Sequence, residues 1–132
     1  YAILNLKTGE LVYANAGHNR PLIIRDETRQ IEQLPRGGMA MGVLPDTRIP
    51  DHHYRLNHGD VLLLFTDGVT ETFSPAEEPY GVDRLIDTVE EARTCEVDQM
   101  LTEIEKALAA FREDHPPSDD ITLLAIRRKR SE

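Results

Sequence analysis

The chain has 132 residues, of which 39% are hydrophobic and 30% are charged. These proportions are typical of a globular protein with a real core, and they exclude a disordered chain. The 15 basic and 24 acidic side chains give a formal net charge of −9, which argues against a general nucleic-acid surface. We therefore expect residues 1–132 to form a single domain that binds no nucleic acid.

The single cysteine, Cys95, cannot form a disulfide within the chain, so a reducing, cytoplasmic compartment is the simplest expectation. No apolar stretch approaches the roughly 18 residues of a membrane span, and the first residues are neither a signal nor a transit peptide. The sequence begins at Tyr1 within a strand-like pattern, so we expect a piece of a longer protein. Residues 127–130 form a basic cluster that we expect to be a solvated terminus.

The first third of the chain is predicted to be an antiparallel meander, with strands at residues 1–6, 11–16, 21–25 and 31–34. The first two strands form a hairpin through a turn that contains Gly9. Residues 35–43 hold three glycines without helical or strand periodicity, and they predict a surface loop. A further strand is expected over residues 49–56.

The stretch from Gly59 to Thr72 carries the strongest local signal. Residues 61–65 are an apolar run without alternation, which predicts a strand covered on both faces. Asp67 follows the strand, and Gly68 permits a sharp turn or the close approach of a ligand because it has no Cβ. An isolated Asp-Gly pair is most often an ordinary turn, so this motif by itself does not establish a site.

The periodicity changes after this motif. Apolar residues at helical spacing predict two amphipathic helices over residues 81–93 and 97–111. The prolines at 116–117 cannot continue the second helix. A final buried strand is expected over residues 121–126, directly after two aspartates.

Aspartates therefore lie at the ends of two predicted strands. If these strands are antiparallel neighbours, Asp67 converges with Asp119 and Asp120 at one edge of a sheet. Oxygen ligands suit Mg²⁺ or Mn²⁺, whereas zinc would be expected to recruit histidine or cysteine. Such a cation leaves positions for a phosphate and a water molecule. Alternatively, the aspartate pair solvates a turn, and His18 and Glu71 make ordinary local contacts, so spacing by itself indicates only an acidic metal site.

Motifs shared with a known family occur in order along the chain: YANAGHNRPLI at 13–23, GMAMGV at 38–43, GDVLLLFTDGVTE at 59–71, YGVDRL at 80–85 and SDDITLL at 118–124. Together they resemble the carboxyl-terminal portion of a SpoIIE-like phosphatase domain, the bacterial branch of the metal-dependent (type 2C) Ser/Thr protein phosphatases. The resemblance implies an α+β fold, an α/β/β/α sandwich of two antiparallel sheets flanked by helices and incomplete at its amino-terminal end.

The resemblance also implies a centre of two divalent cations, Mn²⁺ or Mg²⁺. The ligands it implies are Asp67 and Asp119, with Gly68 and Asp120 as further candidates. No catalytic side chain is implied beyond the metal ligands, because water attacks phosphoserine or phosphothreonine directly. The residues that we expect at the rim of the site are Gly17, His18 and Gly42.

The function implied is that of a Ser/Thr protein phosphatase in bacterial signalling. Its substrate would be a phosphorylated regulator of the anti-sigma-factor antagonist type, its parent chain would carry an amino-terminal sensor or receiver domain, and a homodimer is left open. The family's amino-terminal Gly-Asp-x-x-Asp metal motif does not occur in this sequence. We therefore expect an incomplete centre and weak or no activity from these residues by themselves. The alternative is a catalytically inactive interaction module that binds a partner-switching regulator.

Overall fold

The computed structural model describes residues 1–129, which contain two antiparallel sheets and helices. The strands are β1 (Ala2–Leu4), β2 (Glu10–Tyr13), β3 (Leu22–Ile24), β4 (Ile31–Gln33), β5 (His52–Arg55), β6 (Val61–Phe65) and β7 (Leu123–Arg127). The helices are α1 (Asp67–Thr70), α2 (Gly81–Glu91) and α3 (Val97–Arg112). Contacts group the described residues into two compact units, Tyr1–Leu63 with residues 126–129, and Leu64–Ala125. The assignment of residues 1–132 to one domain stays a prediction.

The first unit contains a sheet of three strands in the order β1-β2-β5. Ala2 lies opposite Tyr13 in the β1-β2 pair, and Leu11 lies opposite Tyr54 in the β2-β5 pair. The Asn5 side-chain oxygen accepts hydrogen bonds from two backbone amides of the intervening turn, at 3.0 and 3.2 Å. The predicted hairpin is therefore confirmed, and an asparagine turn closes it.

The predicted meander is wrong at the step from β2 to β3, which lie in different sheets, whereas the β3-β4 pair that it requires is present. Strand β3 pairs with β4, where Leu22 faces Gln33, and with β6, where Leu22 faces Leu63. The second sheet has the order β4-β3-β6-β7. The physical reason is burial: Leu22, Ile23 and Ile24 are at most 3% exposed, and residues buried on both faces of a strand favour a place between two other strands.

Strand β6 is the buried strand that its apolar run predicts. Val61, Leu62, Leu63 and Phe65 are at most 3% exposed. Strand β7, in contrast, was expected to be buried and is not, since Leu124 is 52% exposed. Strand β7 is an edge strand of this sheet, so one of its edges has no strand partner in the described chain.

A buried network of charges supports the entrance of β6. Asp60 is 1% exposed, and its carboxylate accepts hydrogen bonds from Arg25 Nη1 at 2.8 Å and from the backbone amides of Asp26 and Asn57, each at 2.9 Å. Arg25 also binds both carboxylate oxygens of Glu32, at 2.7 and 3.0 Å. The hydrogen bond to Glu32 is the main reason that the pKa of Arg25 is raised above its usual value. Arg25 therefore stays charged at any ordinary pH.

The two long helices belong to the second unit and pack against each other. Their buried residues fall at the predicted helical spacing: Leu85, Val89, Met100, Ile104 and Leu108. The Tyr80 and Phe111 rings meet edge to face, 5.1 Å apart, and the Arg84 guanidinium lies 4.8 Å from the centre of the Phe111 ring. Both predicted helices are confirmed.

No helix in the described part of the chain is long and apolar enough to cross a membrane.

Arg128 is not the solvated terminal residue that its place in a basic cluster suggests. Its guanidinium donates to the carbonyl of Leu56 at 2.9 Å and to that of Lys7 at 2.8 Å. The backbone amide of Gly59 donates to the Arg128 carbonyl at 2.7 Å. Arg128 is therefore part of the folded first unit, whereas Arg130 lies outside the described residues.

Candidate metal centre

The backbone that leaves β6 carries the first aspartate of the centre. Thr66 is extended, with φ −86° and ψ 166°, and helix α1 begins at the next residue, Asp67. The predicted turn is in fact one turn of helix, closed by a 2.7 Å hydrogen bond from the Glu71 amide to the Asp67 carbonyl. This turn fixes the backbone of Asp67 at the strand end and leaves its side chain exposed.

The aspartate pair, Asp119 and Asp120, lies beside this turn, within the same unit. The Thr66 amide donates to the Thr122 carbonyl at 3.1 Å, and the Thr122 amide donates to Thr66 Oγ1 at 3.0 Å. These bonds join the end of β6 to the start of β7, its neighbour in the sheet. The antiparallel arrangement on which the predicted convergence of Asp67 with Asp119 and Asp120 depended is therefore present.

Gly68 lies in direct contact with the segment that carries Asp119 and Asp120. A Cβ built on Gly68 would collide with the carbonyl oxygen of Asp120 and would lie 3.3 Å from that of Asp119. Its φ is outside the left-handed range, so glycine is needed here for space rather than for conformation. The Gly68 carbonyl is itself engaged, because Thr72 Oγ1 donates to it at 2.7 Å.

The three aspartate side chains are exposed and make few bonds. One Asp67 oxygen accepts from the Gly68 amide at 3.1 Å, and one Asp119 oxygen accepts from the Asp120 amide at 2.7 Å. Within residues 1–129, none of the ion pairs includes any of these aspartates. Exposed carboxylates without a basic partner are available to bind a cation.

The donor chemistry of this cluster suits a hard divalent cation, since every side-chain donor is a carboxylate oxygen. The number of donors is small: across the described residues, no group of three or more histidine, cysteine, aspartate or glutamate side chains is arranged to hold a metal ion. Mg²⁺ takes about six oxygen ligands and commonly keeps several waters. The aspartates therefore fit such a cation as a partial set of ligands.

The predicted rim residues belong to the first unit, whereas the aspartates belong to the second. Gly17 has φ +86°, and a Cβ there would lie 3.0 Å from the backbone nitrogen of Ala40. His18 Nδ1 lies 3.2 Å from the Asn19 carbonyl oxygen, which is a local contact. Gly42 has φ +84° and open space around its Cβ position. The assignment of Gly17, His18 and Gly42 to the rim stays a prediction.

Two hydroxyl residues of the centre were missed by the sequence analysis. Thr66 Oγ1 donates to the Asp120 carbonyl at 3.1 Å, and Ser118 Oγ donates to the Glu71 carbonyl at 2.5 Å. Each hydroxyl residue directly precedes an aspartate at a strand end. Their partners lie 54 and 47 residues away, beyond the local hydrogen bonds that a serine or threonine in a sequence indicates.

Comparison with known proteins agrees with the fold. The family model "Stage II sporulation protein E (SpoIIE)" matches residues 1–129, so the chain belongs to the SpoIIE family. The phosphoserine phosphatase RsbU of Bacillus subtilis is 30% identical over 131 residues, which cover 98% of this chain and 38% of that protein.

Solved structures share the fold. The RsbU and RsbW domains of Rv1364c from Mycobacterium tuberculosis match with a TM-score of 0.79 and 25% identity, over 97% of this chain and 35% of that one. The phosphatase domain of SpoIIE from Bacillus subtilis matches with a TM-score of 0.75 and 16% identity, over 100% of this chain and 56% of that one. The chain thus spans well under two thirds of each of these proteins, and its fold is the one that phosphatase domains of this family adopt.

Proposed function

We propose that this chain is the carboxyl-terminal part of the catalytic domain of a metal-dependent protein phosphatase. Its substrates would be phosphoserine or phosphothreonine residues. The observation that carries the proposal is the contact of Gly68, which directly follows Asp67, with the backbone carbonyls of Asp119 and Asp120. Membership of the SpoIIE family and the 30% identity to a phosphoserine phosphatase support it.

In this proposal, Asp67 and Asp119 hold two divalent cations, Mg²⁺ or Mn²⁺, with Asp120 as a further ligand. Gly68 leaves room for the Asp119–Asp120 backbone, and it stays a further candidate ligand because its carbonyl keeps a second lone pair beside the bond from Thr72. The cations supply positive charge that stabilises the phosphoryl oxygens and activates water. The exposure of the aspartates leaves the cluster open to a phosphorylated side chain.

The proposed substrate is a phosphorylated regulator of the anti-sigma-factor antagonist type, in the cytoplasm. The occurrence of RsbU and RsbW domains together in Rv1364c supports a place in partner-switching regulation. An amino-terminal sensor or receiver domain and a homodimer belong to the same proposal. Each concerns the full-length protein.

A second candidate is an interaction module without catalytic activity. It is favoured by one observation, namely that the described residues hold no complete set of three or more metal-ligating side chains. The enzyme proposal requires further ligands from outside residues 1–129, whereas the interaction module requires none. Binding of the regulator without phosphate release by the full-length protein would favour the module.

Replacing Asp67 by Asn in the full-length protein tests the enzyme proposal. Loss of the carboxylate is expected to abolish Mn²⁺-dependent release of phosphate from a phosphoserine protein while the circular dichroism spectrum is unchanged. Asp87→Asn is the matched control, because Asp87 is an exposed aspartate on helix α2. Unchanged activity in the Asp67 variant would remove this residue from the site.

A further inference from the structure

Thr66 lies at the centre of the hydrogen bonds that join the two acidic segments. Its hydroxyl donates to the Asp120 carbonyl at 3.1 Å and accepts from the Thr122 amide at 3.0 Å. Its own amide donates to the Thr122 carbonyl at 3.1 Å. The one proton of the hydroxyl and one of its lone pairs are thus both committed to the segment that follows Asp119.

We propose that Thr66 is a positioning residue for the metal centre, whose hydroxyl sets the separation between Asp67 and Asp119. This inference rests on the proposed function. Thr66 directly precedes Asp67 in the chain. The bond from its side chain to the Asp120 carbonyl therefore links the segment of Asp67 directly to the segment of Asp119 and Asp120.

The Thr66 hydroxyl makes a side-chain hydrogen bond to the Asp120 backbone, and apolar packing adds little to the placement of this segment. Residues 119–122 are all exposed, so apolar burial contributes little to their placement. The Asp120 carbonyl is held between the Thr66 hydroxyl and the surface of Gly68. Ser118 adds one further bond, to the Glu71 carbonyl. Removing the Thr66 hydroxyl should therefore displace the aspartates without opening the core.

Metal affinity is sensitive to such displacement. Ligands must be held within about 0.5 Å of the productive geometry. Loss of a residue that orients a ligand commonly lowers metal affinity by about 10- to 100-fold. The valine variant removes the hydroxyl at nearly constant side-chain shape, so it isolates the hydrogen bonds from the packing.

The test is a Mn²⁺ titration of the full-length protein by isothermal calorimetry. Thr66→Val is expected to bind Mn²⁺ about 10- to 100-fold more weakly than wild type. Thr66→Ser, which restores the hydroxyl, is expected to bind close to wild type. Thr102→Val is the control: its hydroxyl donates to the Asp98 carbonyl on helix α3, at 2.9 Å, and its removal is expected to leave Mn²⁺ affinity unchanged.

A double-mutant cycle separates positioning from general destabilisation. In the Asp119→Asn background, Thr66→Val is expected to have little further effect on Mn²⁺ affinity, because the ligand that it positions is already lost. A merely structural role for the Thr66 hydroxyl would give the same decrease in both backgrounds, and this result would overturn the inference.

The outcomes distinguish this inference from the proposed function. Wild-type protein that binds no Mn²⁺ would overturn both. Wild-type binding that is matched by Thr66→Val would overturn the role of Thr66 only. If the valine variant does not fold, Thr66→Ala, which also removes the hydroxyl, takes its place: affinity equal to that of Thr66→Ser would overturn the inference, and weaker affinity would support it.

Discussion

The carbonyl oxygen of Asp120 lies against the α-carbon of Gly68, in space that a single methyl group would occupy. Two backbone segments, far apart in sequence, therefore touch at the point where each presents an aspartate. This main-chain contact limits how closely the two segments can approach. Small changes to the backbone contact should consequently have large effects on the site.

Gly68→Ala is the direct test of this contact. The added Cβ must push the Asp120 carbonyl away, so we expect a loss of about 1–3 kcal/mol in the free energy of unfolding and a decrease in Mn²⁺ affinity. Calorimetric Mn²⁺ titration and thermal unfolding of the full-length protein measure the two effects. Gly81→Ala is the control, because Gly81 has φ +76° and no neighbour within 4 Å of its Cβ position. Gly81→Ala should lower the free energy of unfolding without changing Mn²⁺ affinity. Wild-type Mn²⁺ affinity in Gly68→Ala would contradict the role of the contact.

Asp60→Asn should be strongly destabilising although it keeps the shape of the side chain. An amide nitrogen cannot accept the hydrogen bonds that the buried carboxylate receives, and Arg25 would lose a buried partner. Breaking a buried ion pair in this way costs about 3–5 kcal/mol. Urea unfolding measures the change. Asp51→Asn, at an exposed position, should have little effect, and equal stability of the two variants would show that the network does not hold the entrance of β6.

Leu63 and Leu124 offer a matched comparison between strands β6 and β7. Leu63 is 0% exposed, so Leu63→Ala should lower the free energy of unfolding by about 2–5 kcal/mol. Leu124 is 52% exposed, so Leu124→Ala should change it by less than about 0.5 kcal/mol. Urea unfolding of both variants checks the assignment. A large loss at Leu124 would indicate that β7 is covered by another part of the full-length protein.

Tyr13 should make stability depend on alkaline pH. Burial raises the pKa of Tyr13 above its ordinary value of 10.0, and the hydrogen bond from Asn15 opposes this shift. A group with a raised pKa in the folded state contributes stability that is fully present below pH 10.0 and is lost as the pH rises through the folded pKa. Urea unfolding over this pH range measures the decrease. Tyr13→Phe, which cannot ionise there, should show a smaller decrease, and an identical pH dependence would refute the assignment.

The parts of the fold that the sequence predicted are those specified locally. The apolar run of β6 and the helical spacing of residues in α2 and α3 predict their own secondary structure, because each pattern matches one backbone period. The pairing of β3 with β6 was not predictable in this way. It depends on which strands pair with the two edges of the buried strand β3, and this is a property of the whole sheet.

The site shows the same division between local and distant information. Asp67 and Asp119 were identified because each lies at the end of a recognisable strand. The partners of Thr66 and Ser118 are 54 and 47 residues away, and those of Arg128 are 72 and 121 residues away, so no local pattern could reveal them. Hydroxyl groups and guanidinium groups have many available partners, and only the fold selects among them.

The lack of a basic partner for the exposed aspartates, within the described chain, has a thermodynamic consequence. Any cation that binds these carboxylates in the folded protein but not in the unfolded chain stabilises folding by mass action. Under the proposed function, the free concentration of Mg²⁺ or Mn²⁺ would therefore affect the free energy of unfolding as well as the rate of catalysis. In a cell depleted of these cations, a larger fraction of the protein would be unfolded and degraded. This loss would add to any loss of catalysis.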